Sequence, residues 1–339
     1  MKAHFLVKQD EPINAFEIRE TDKPLVQSDE VQIKVEGFGL NFADVMAMKG
    51  LYRDCPPLPA IIGYDVVGTV EAKGINANNV AIGDRVTALT RFGGYAEYAV
   101  TKASAVAKIS EDLELGKALA LSTQYCTAYY CTEEMTRLHK DDKVLIHAAA
   151  GGVGTALVQL AKWRECEIYG TASSHKLAYL KQQGVHHPID YRNEDFFEAV
   201  QRTCGKGGLD VVFDPIGGAY LKKGIKLLGA GGRMVSFGAS ELTNAKNKFS
   251  KMKFLWSFGL YHPVFFIGHS KSFIGVNMLR IADNRPKVFQ RVLEKVVELS
   301  TQGVLNPTVG KVFEFEKLPQ ALEYLASRQS IGKVIVKVE

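Results

Sequence analysis

The chain has 339 residues, of which 46% are hydrophobic and 23% charged; these ordinary globular values exclude a disordered or collagen-like protein. This length is too great for one comfortable core, so we expect two domains. The net charge of +5 suits anionic small molecules, and it does not indicate the clustered basic face that nucleic-acid binding needs.

Two features of the sequence predict a cytoplasmic protein with reduced thiols. The N-terminus has no apolar core of signal-peptide length, and the longest aromatic-apolar run, 254–268, is shorter than the ~20 residues that span a bilayer. The five cysteines include no C-x-x-C pair, which favours packing thiols. A redox pair of Cys126 and Cys131 stays an alternative.

The first hundred residues have the pattern of short strands separated by turns. "EVQIKVEGFGL" (30–40) alternates with period two, "YDVVGTVEA" (64–72) is rich in β-branched residues, and "IGDRVTAL" (82–89) begins at a Gly-Asp turn. Little of this region has a helical period. It therefore predicts a β-rich domain.

From Lys143 onward, strand patterns alternate with helix patterns of ten or so residues. The strand patterns are "KVLIHAA", "EIYGTA", "DVVFD" and "GGRMVSFG". This alternation predicts a parallel sheet with crossover helices. An amphipathic helix follows at 287–303, and the tail from 311 has the pattern strand, helix, strand.

We therefore predict an α/β protein with two domains. Residues 1–122 together with 301–339 form the β-rich substrate domain, because the strand-forming tail is expected to return to the first half. Residues 123–300 form the doubly wound domain with a parallel sheet. The helical pattern of Leu115 to Tyr130 connects the two.

A strand, a glycine loop and a helix stand together in "KVLIHAAAGGVGTALVQLAKW". Small residues occupy the three positions of the dinucleotide fingerprint, which serve a tight turn, close approach of the pyrophosphate, and close packing of helix on strand. The helix N-terminus would face the phosphates. A short G-x-x-G also suits a plain turn, but the apolar helical stripe that follows favours a dinucleotide site. The predicted set is Ala149, Gly151, Gly152, Val153 and Gly154.

In a dinucleotide-binding domain, the residue after the second strand distinguishes NAD from NADP. An NAD site has Asp or Glu about 20 residues further on, but counting from Gly154 leads to Ser173 in "GTASSHK". Ser173, Ser174 and Lys176 offer hydroxyls and a cation to a 2′-phosphate, and Arg192 approaches from the next strand end. Solvated loop residues are the alternative. We predict NADPH, with further cofactor contacts at Tyr191, Phe237 and Gly238.

In these and other motifs the chain resembles the medium-chain dehydrogenase/reductase superfamily over essentially its whole length. The motifs are "GLNFADVMAMKGLY", "PPLPAIIGYDVVGTV", "GDRVTALTRFGGYAEYAV", "AAAGGVGTALVQLAK", "DVVFDPIGG" and "GGRMVSFGAS". Within it, the chain is most similar to the zinc-independent quinone oxidoreductase branch, and through "SKSFIGVNML" and "SIGKVIV" to its vesicle amine transport protein (VAT-1) group. The resemblance implies a GroES-like substrate domain, a Rossmann domain and an active site in the cleft between them.

The zinc ligands of the related alcohol dehydrogenases are replaced here. Their Cys, His and Cys positions correspond to Asn41 in "GLNFAD", Tyr64 in "GYD" and, by our alignment, Thr123. An amide, a phenol and a hydroxyl are poor zinc ligands. We predict no metal.

By resemblance, Asn41 lies beside the nicotinamide, Tyr52 lines the substrate mouth and Thr127 faces the pocket. Without zinc, hydrogen bonds must polarise the carbonyl while the cofactor supplies hydride. Tyr52 is either a proton donor, for which a phenol pKa of about 10 is unfavourable, or an aromatic wall, which we favour. Asp44 and Asp65 are expected to be structural, pairing with backbone groups or an arginine.

A stretch of lysines and aromatic residues offers a hypothesis of another class. Its members are Lys246, Lys248, Phe249, Lys251, Lys253, Phe254, Trp256 and Phe258. Such a stretch can contact anionic membranes weakly, and the VAT-1 resemblance suggests vesicle or lipid association. Because its amphipathicity is poor, we favour a segment that covers the cleft.

The run "SFIGVNML" (272–279) is predicted to be the last strand of the Rossmann sheet. An exposed edge risks aggregation, and the resemblance implies that such edges pair in a homodimer. A monomer with a covered edge is the alternative. The sequence thus predicts an NADPH-dependent, zinc-independent oxidoreductase of quinones or α,β-unsaturated carbonyls. A VAT-1-like lipid-binding protein with weak or no reductase activity is the alternative.

Overall fold

The structure is a computed structural model that describes residues 1–245 and 247–338. The strands are β1 (Lys2–Leu6), β2 (Phe16–Glu20), β3 (Glu30–Leu40), β4 (Ala60–Ile61), β5 (Asp65–Lys73), β6 (Arg85–Leu89), β7 (Tyr98–Lys102), β8 (Val106–Lys108), β9 (Lys143–Ile146), β10 (Glu167–Ala172), β11 (His187–Asp190), β12 (Leu209–Asp214), β13 (Leu228–Ser236), β14 (Ser272–Gly275), β15 (Val309–Glu314) and β16 (Lys333–Lys337). The α-helices are α1 (Pro12–Ala15), α2 (Phe42–Met48), α3 (Leu115–Ala120), α4 (Cys126–Tyr129), α5 (Gly152–Trp163), α6 (Leu177–Gln183), α7 (Phe196–Cys204), α8 (Ala219–Leu227), α9 (Lys248–Ser257), α10 (Pro263–His269), α11 (Met278–Asn284), α12 (Pro286–Thr301) and α13 (Leu318–Ala326).

The chain forms two compact units. The first contains Met1–Cys126 and Met278–Glu339, and the second contains Thr127–Asn277. The sequence placed the second boundary after residue 300, whereas α12 belongs to the first unit. The reason is its apolar face, which packs against β8 and the neighbouring turn Ala103–Ala105.

The first unit contains a seven-stranded sheet in which the tail of the chain returns to its beginning. The strand order is β15-β16-β3-β5-β6-β8, and β7 also pairs with β3. The strands predicted at 30–40, 64–72 and 82–89 are confirmed as β3, β5 and β6. β16 pairs antiparallel with β3, with Val334 opposite Leu40. This pairing brings the start of β16 beside the end of β3.

The second unit contains a parallel six-stranded sheet. The strand order is β11-β10-β9-β12-β13-β14. Successive strands are added on one side of β9 up to β11 and on its other side from β12 onward, as the prediction of a doubly wound sheet requires. In such sheets ligands bind outside the carboxyl ends of the strands at the point of reversal. The predicted glycine loop follows β9, at that point.

Two predicted elements differ in detail from the structure. The strand expected over 272–279 ends at Gly275, because residues from Met278 onward form α11. The helical pattern of Leu115 to Tyr130 is confirmed, but π-helical turns at Leu121–Tyr125 and Tyr130–Thr136 interrupt the α-helical geometry.

Candidate active site

The glycine loop connects β9 to α5 in a tight turn. Ala148 has a left-handed backbone (φ 52°), and the Gly151 N–H donates to its carbonyl oxygen at 2.8 Å. Gly151 is the residue before the first turn of α5. The five residues predicted to contact phosphates, 149–154 without 150, therefore lie together at the carboxyl end of β9, with the N–H groups of the helix N-terminus available to an anion.

Gly154 stands where no side chain fits. A Cβ atom built there would lie 2.2 Å from the Ala148 carbonyl oxygen and 2.7 Å from Ala149 Cα. At Gly151 the same test gives 3.2 Å to Ala148 O, a contact that a small shift relieves. Gly154 thus allows α5 to pack on the loop, whereas Gly151 leaves the loop surface without a side chain.

A positively charged cluster lies at the carboxyl ends of β10 and β11. Ser173 and Lys176 are both buried, and Arg192 is exposed beside them. Burial, together with the positive charge of Arg192, lowers the pKa of Lys176 to about 8. An acid is the usual residue at this strand end in an NAD site, and here two cations, Lys176 and Arg192, lie there instead.

One acid nearby, Asp190, was not singled out from the sequence. It ends β11, one strand further than the acid of an NAD site. Its carboxylate accepts hydrogen bonds from the Arg192 N–H (3.1 Å) and from Asn193 Nδ2 (2.7 Å). Asp190 therefore stabilises the turn that carries Arg192.

The remaining cofactor candidates follow other parallel strands of the second unit. The Tyr191 N–H donates to the Ala172 carbonyl oxygen at 3.3 Å, which ties the ends of β11 and β10 together. The Phe237 N–H donates to the Asp214 carbonyl oxygen at 3.1 Å, and Gly238 lies close to the Pro215 backbone. The ends of β9, β10, β11 and β13 thus carry the whole predicted set.

The first unit holds a buried polar cluster around Asn41, directly after β3. The ammonium group of Lys333 forms an ion pair with Asp65, and both side chains are fully buried. Lys333 Nζ also donates to Asn41 Oδ1 at 3.1 Å, and Asn41 Nδ2 donates to Asp65 at 2.6 Å. Ser122 donates to the other Asp65 oxygen at 2.8 Å. We define these residues, with Gln124, as the Asn41 cluster.

Sequence reasoning missed Lys333. An arginine or backbone partner was expected for Asp65, and its charged partner is this lysine instead. The only available signal was a lysine that begins the apolar strand "KVIV" in the tail. A charged residue is almost never fully buried unless it is paired, so burial of the strand would have required a carboxylate.

Asp44, one turn into α2, is structural as expected. Its carboxylate accepts the Asn41 backbone N–H at 2.7 Å. Complete burial raises the pKa of Asp44 to about 7, and the negative charge of Asp65 adds to this effect. Asp44 therefore fixes the backbone of Asn41, while Lys333 and Asp65 fix its side chain.

The other two predicted catalytic residues are Tyr52 and Thr127. Tyr52 packs edge-on against Tyr64, with ring centroids 6.2 Å apart. Burial raises the pKa of Tyr52, which makes it a weaker acid and favours the aromatic-wall alternative. Thr127 is buried in α4 and is the first residue of the second unit.

The three residues at the zinc positions do not fit zinc. Asn41 Oδ1 already accepts hydrogen bonds from the Lys333 ammonium and, at 3.3 Å, from Gln124 Nε2. A metal there would meet a positive charge. Burial raises the pKa of the Tyr64 phenol, and Thr123 offers only a hydroxyl. Within residues 1–245 and 247–338, no three His, Cys, Asp or Glu side chains gather to hold a metal.

Two family models match parts of the chain. The model described as "Alcohol dehydrogenase GroES-like domain" matches residues 27–111. The model described as "Zinc-binding dehydrogenase" matches residues 183–336. The predicted combination of a GroES-like domain and a Rossmann-like parallel sheet is confirmed.

Curated relatives bear the name of a vesicle protein. The synaptic vesicle membrane protein VAT-1 homolog of Danio rerio is 35% identical over 94% of this chain, which spans 66% of that protein's length. The human homolog is 33% identical over a region that covers 91% of this chain and 78% of the length of that homolog. The quinone oxidoreductase-like protein 2 of Mus musculus is 28% identical over 95% of this chain and 89% of its own.

Solved structures share the fold along the whole chain. The human VAT-1 homolog-like protein has a TM-score of 0.86 at 28% identity, covering 100% of this chain and 98% of its own. A mycobacterial protein complexed with NADPH has a TM-score of 0.86 at 25% identity, with both chains fully covered. The quinone oxidoreductase of Escherichia coli complexed with NADPH, at 23% identity and a TM-score of 0.86, shows the shared fold.

Proposed function

Because this chain belongs to the VAT-1-like group of the medium-chain dehydrogenase/reductase superfamily, we propose that it is an NADPH-dependent oxidoreductase of quinones or α,β-unsaturated carbonyls that works without zinc. The observation that carries the choice of cofactor is the buried Lys176 beside Arg192. NADPH-bound structures of related fold support this choice.

Each group of residues has a proposed task. The loop around Gly151 and the N-terminus of α5 bind the pyrophosphate, and Lys176 with Arg192 binds the 2′-phosphate. NADPH supplies the hydride. Asn41, Tyr52 and Thr127 bind and orient the substrate, with Tyr52 as an aromatic wall. The donors at the zinc positions suit hydrogen bonds to a carbonyl oxygen, which is why we propose chemistry without zinc.

The proposed function is tested by turnover. We expect purified protein to oxidise NADPH in the presence of 1,4-naphthoquinone or 4-phenyl-3-buten-2-one, and NADH much more slowly. A chelator should leave the rate unchanged. Preference for NADH, or one zinc per chain whose removal abolishes the rate, would contradict the proposal.

Ser173→Asp should weaken NADPH binding by at least about tenfold, because it places a carboxylate against the 2′-phosphate and one charged contact is worth about 1.5–3 kcal/mol. NADH lacks that phosphate, so its dissociation constant should stay unchanged or fall. Fluorescence titration of the same preparation with both cofactors measures the ratio, with NADH as internal control. Equal weakening of both cofactors would show that Ser173 does not face the 2′-phosphate.

NADPH affinity should fall as the pH rises through about 8, which is the pKa of Lys176 in the free protein. The protonated ammonium attracts the phosphate, so the affinity is complete below this pH and is lost above it. NADH affinity should stay flat over the same range. Calorimetric titrations between about pH 7 and pH 9.5 span the transition around this shifted value. Lys176→Met should remove the pH dependence, and a persisting slope in that variant would exclude Lys176 as its origin.

We also propose that the chain forms a homodimer through the outer edge of β14. This strand ends the sheet, and Phe273 on it is 49% exposed. The Val276 N–H donates to the Ser236 carbonyl oxygen of β13 at 2.9 Å. Because successive N–H groups of a strand point to opposite sides, the Gly275 N–H points to the free edge.

Gly275→Pro should therefore convert a dimer to a monomer, because it removes an outward donor and leaves the bond of Val276 to β13 intact. Light scattering should change from about two chains of 37.3 kDa to one. Gly275→Ala is the matched control, since a Cβ at Gly275 meets no atom within 4 Å. A wild-type monomer at micromolar concentration would contradict the proposal.

One surface favours a second candidate function, peripheral binding to anionic membranes. In α9, Phe254 is buried and packs against Phe258, with ring centroids 5.1 Å apart. The exposed large hydrophobic residues of this segment are Phe249, Met252, Leu255, Trp256, Leu260, Val264 and Ile267. Lys248 and Lys253 are exposed among them, and Lys246 lies outside the described residues. Apolar side chains flanked by lysines suit an anionic bilayer surface.

Membrane binding can be tested separately from catalysis. Across the described ranges, no helix is long and apolar enough to cross a bilayer. We expect sedimentation with phosphatidylserine vesicles and not with phosphatidylcholine vesicles. Phe249→Ser with Trp256→Ser should abolish it, and Leu25→Ser with Ile75→Ser, which are even more exposed in the first unit, should not. Equal sedimentation of both double variants would contradict the candidate.

A further inference from the structure

The Asn41 cluster fixes the direction in which the Asn41 amide points. An ammonium group has only donors and a carboxylate only acceptors. Lys333 must therefore face the amide oxygen at 3.1 Å, and Asp65 must face the amide nitrogen at 2.6 Å. Rotating the amide by half a turn would set oxygen against carboxylate and nitrogen against ammonium.

In this orientation one N–H group of the Asn41 amide remains without a hydrogen-bond acceptor in the cluster. Asn41 Oδ1 has two acceptor positions, and Lys333 and Gln124 fill both. Nδ2 has two N–H groups, of which one donates to Asp65. Among the described residues, the second N–H has no acceptor. The cluster thus consumes every acceptor of the amide and leaves one donor.

Burial keeps the amide in this orientation. Lys333 and Asp65 are fully buried, so water does not compete for their hydrogen bonds to Asn41.

Building on the function proposed above, we infer that Lys333 is a positioning residue: its ammonium group locks the Asn41 amide so that one N–H is presented to the carbonyl oxygen of a quinone or enone. Hydride addition to such a substrate places negative charge on that oxygen, and a preorganised donor stabilises it. A locked Asn41 amide needs no reorganisation when the charge develops. An amide that is free to rotate can instead turn its oxygen toward the substrate carbonyl oxygen and repel it.

The surrounding backbone leaves room for this lysine only because residue 39 is glycine. A Cβ at Gly39 would lie 2.2 Å from Lys333 Cε and 2.8 Å from Lys333 Nζ. Gly39 belongs to β3, two residues before Asn41. Strand β3 thus supplies both the space for the ammonium group and the amide that it locks.

The test removes the lock while keeping the fold. Asp65→Leu with Lys333→Met replaces the ion pair by apolar side chains of similar volume, which is often neutral for stability. We expect kcat for NADPH oxidation with 1,4-naphthoquinone to fall by at least about tenfold, with the NADPH dissociation constant unchanged; losing a whole oxyanion donor costs about 10²–10³ in kcat. In an Asn41→Leu background, the same two changes should cause no further loss.

A second readout needs no turnover. The carbonyl stretch of bound 4-phenyl-3-buten-2-one, measured by infrared difference spectroscopy, should shift to lower frequency in the wild type and much less in the double variant. Additive losses of kcat, or an equal shift in both proteins, would overturn the inference. If the wild type binds the enone with a shifted stretch yet oxidises no NADPH, the proposed function fails and the positioning role stands. Should the double variant not fold, Asp65→Asn with Lys333→Gln takes its place with the same expectations.

Discussion

Lys333→Met should lower the free energy of unfolding by about 3–5 kcal/mol, the usual loss when one partner of a buried ion pair is removed. Asp65 would remain fully buried with its charge uncompensated, since Ser122 and Asn41 offer only neutral donors. Urea denaturation followed by circular dichroism measures the loss. Asp65→Leu should cost a similar amount, because it leaves the ammonium group unpaired.

The double variant distinguishes pairing from packing. Asp65→Leu with Lys333→Met should recover most of the stability that each single change removes, because no buried charge remains. Lys337→Met, at the exposed end of the same strand, should stay within about 0.5 kcal/mol of the wild type. If the losses of the two single variants simply add in the double variant, the ion pair does not govern the stability of this cluster.

The sequence predicts those parts of this fold that depend on local periodicity. The sequence of β3 alternates with period two, and both β3 and β10 begin and end where predicted. The loop at Gly151 is equally predictable, because larger side chains would collide with its backbone, as a Cβ atom built at Gly154 shows. These features lie within stretches of about ten residues, where each side chain's role follows from its neighbours.

Contacts between distant parts of the chain escape such reasoning. Lys333 and Asp65 are 268 positions apart, and they meet because β3 pairs with β16 and also with β5, on which Asp65 lies. The placement of α12 in the first unit has the same origin, since its amphipathic pattern shows an apolar face without showing which surface covers it. Asn41 was found from family resemblance, whereas the lysine that orients it required the structure.

At the carboxyl end of β10, the sequence predicts both the residues that follow this strand and a residue from the neighbouring strand. Ser173 and Lys176 follow from counting along one strand and helix, and Arg192 was expected from the next strand end. The structure places the positive charge of Arg192 close enough to lower the pKa of Lys176. In a parallel sheet, neighbouring strand ends meet at one edge, so residues near two such ends are brought together predictably.

Two alanine substitutions in the glycine loop should separate folding from cofactor binding. Gly154→Ala places a methyl group 2.2 Å from the Ala148 carbonyl oxygen and 2.7 Å from Ala149 Cα. Both neighbours are backbone atoms, which cannot turn away as a side chain can. Overpacking of this kind costs typically about 1–3 kcal/mol and sometimes more, so we expect a loss of about 3 kcal/mol and a markedly lower melting temperature even without cofactor.

Gly151→Ala should leave the fold stable and weaken cofactor binding. Its backbone angles (φ −77°, ψ 174°) are ones that alanine adopts, and the new methyl group would lie 3.2 Å from Ala148 O. Stability should therefore change by less than about 1 kcal/mol. The methyl group would, however, stand between the loop and an approaching pyrophosphate, which needs close access to the backbone. We expect NADPH and NADH to bind at least about tenfold more weakly, a cost of about 1.4 kcal/mol. Thermal melting without cofactor and fluorescence titration with both cofactors measure the two effects, and a Gly151→Ala protein that binds NADPH as the wild type does would show that the pyrophosphate does not lie on this loop.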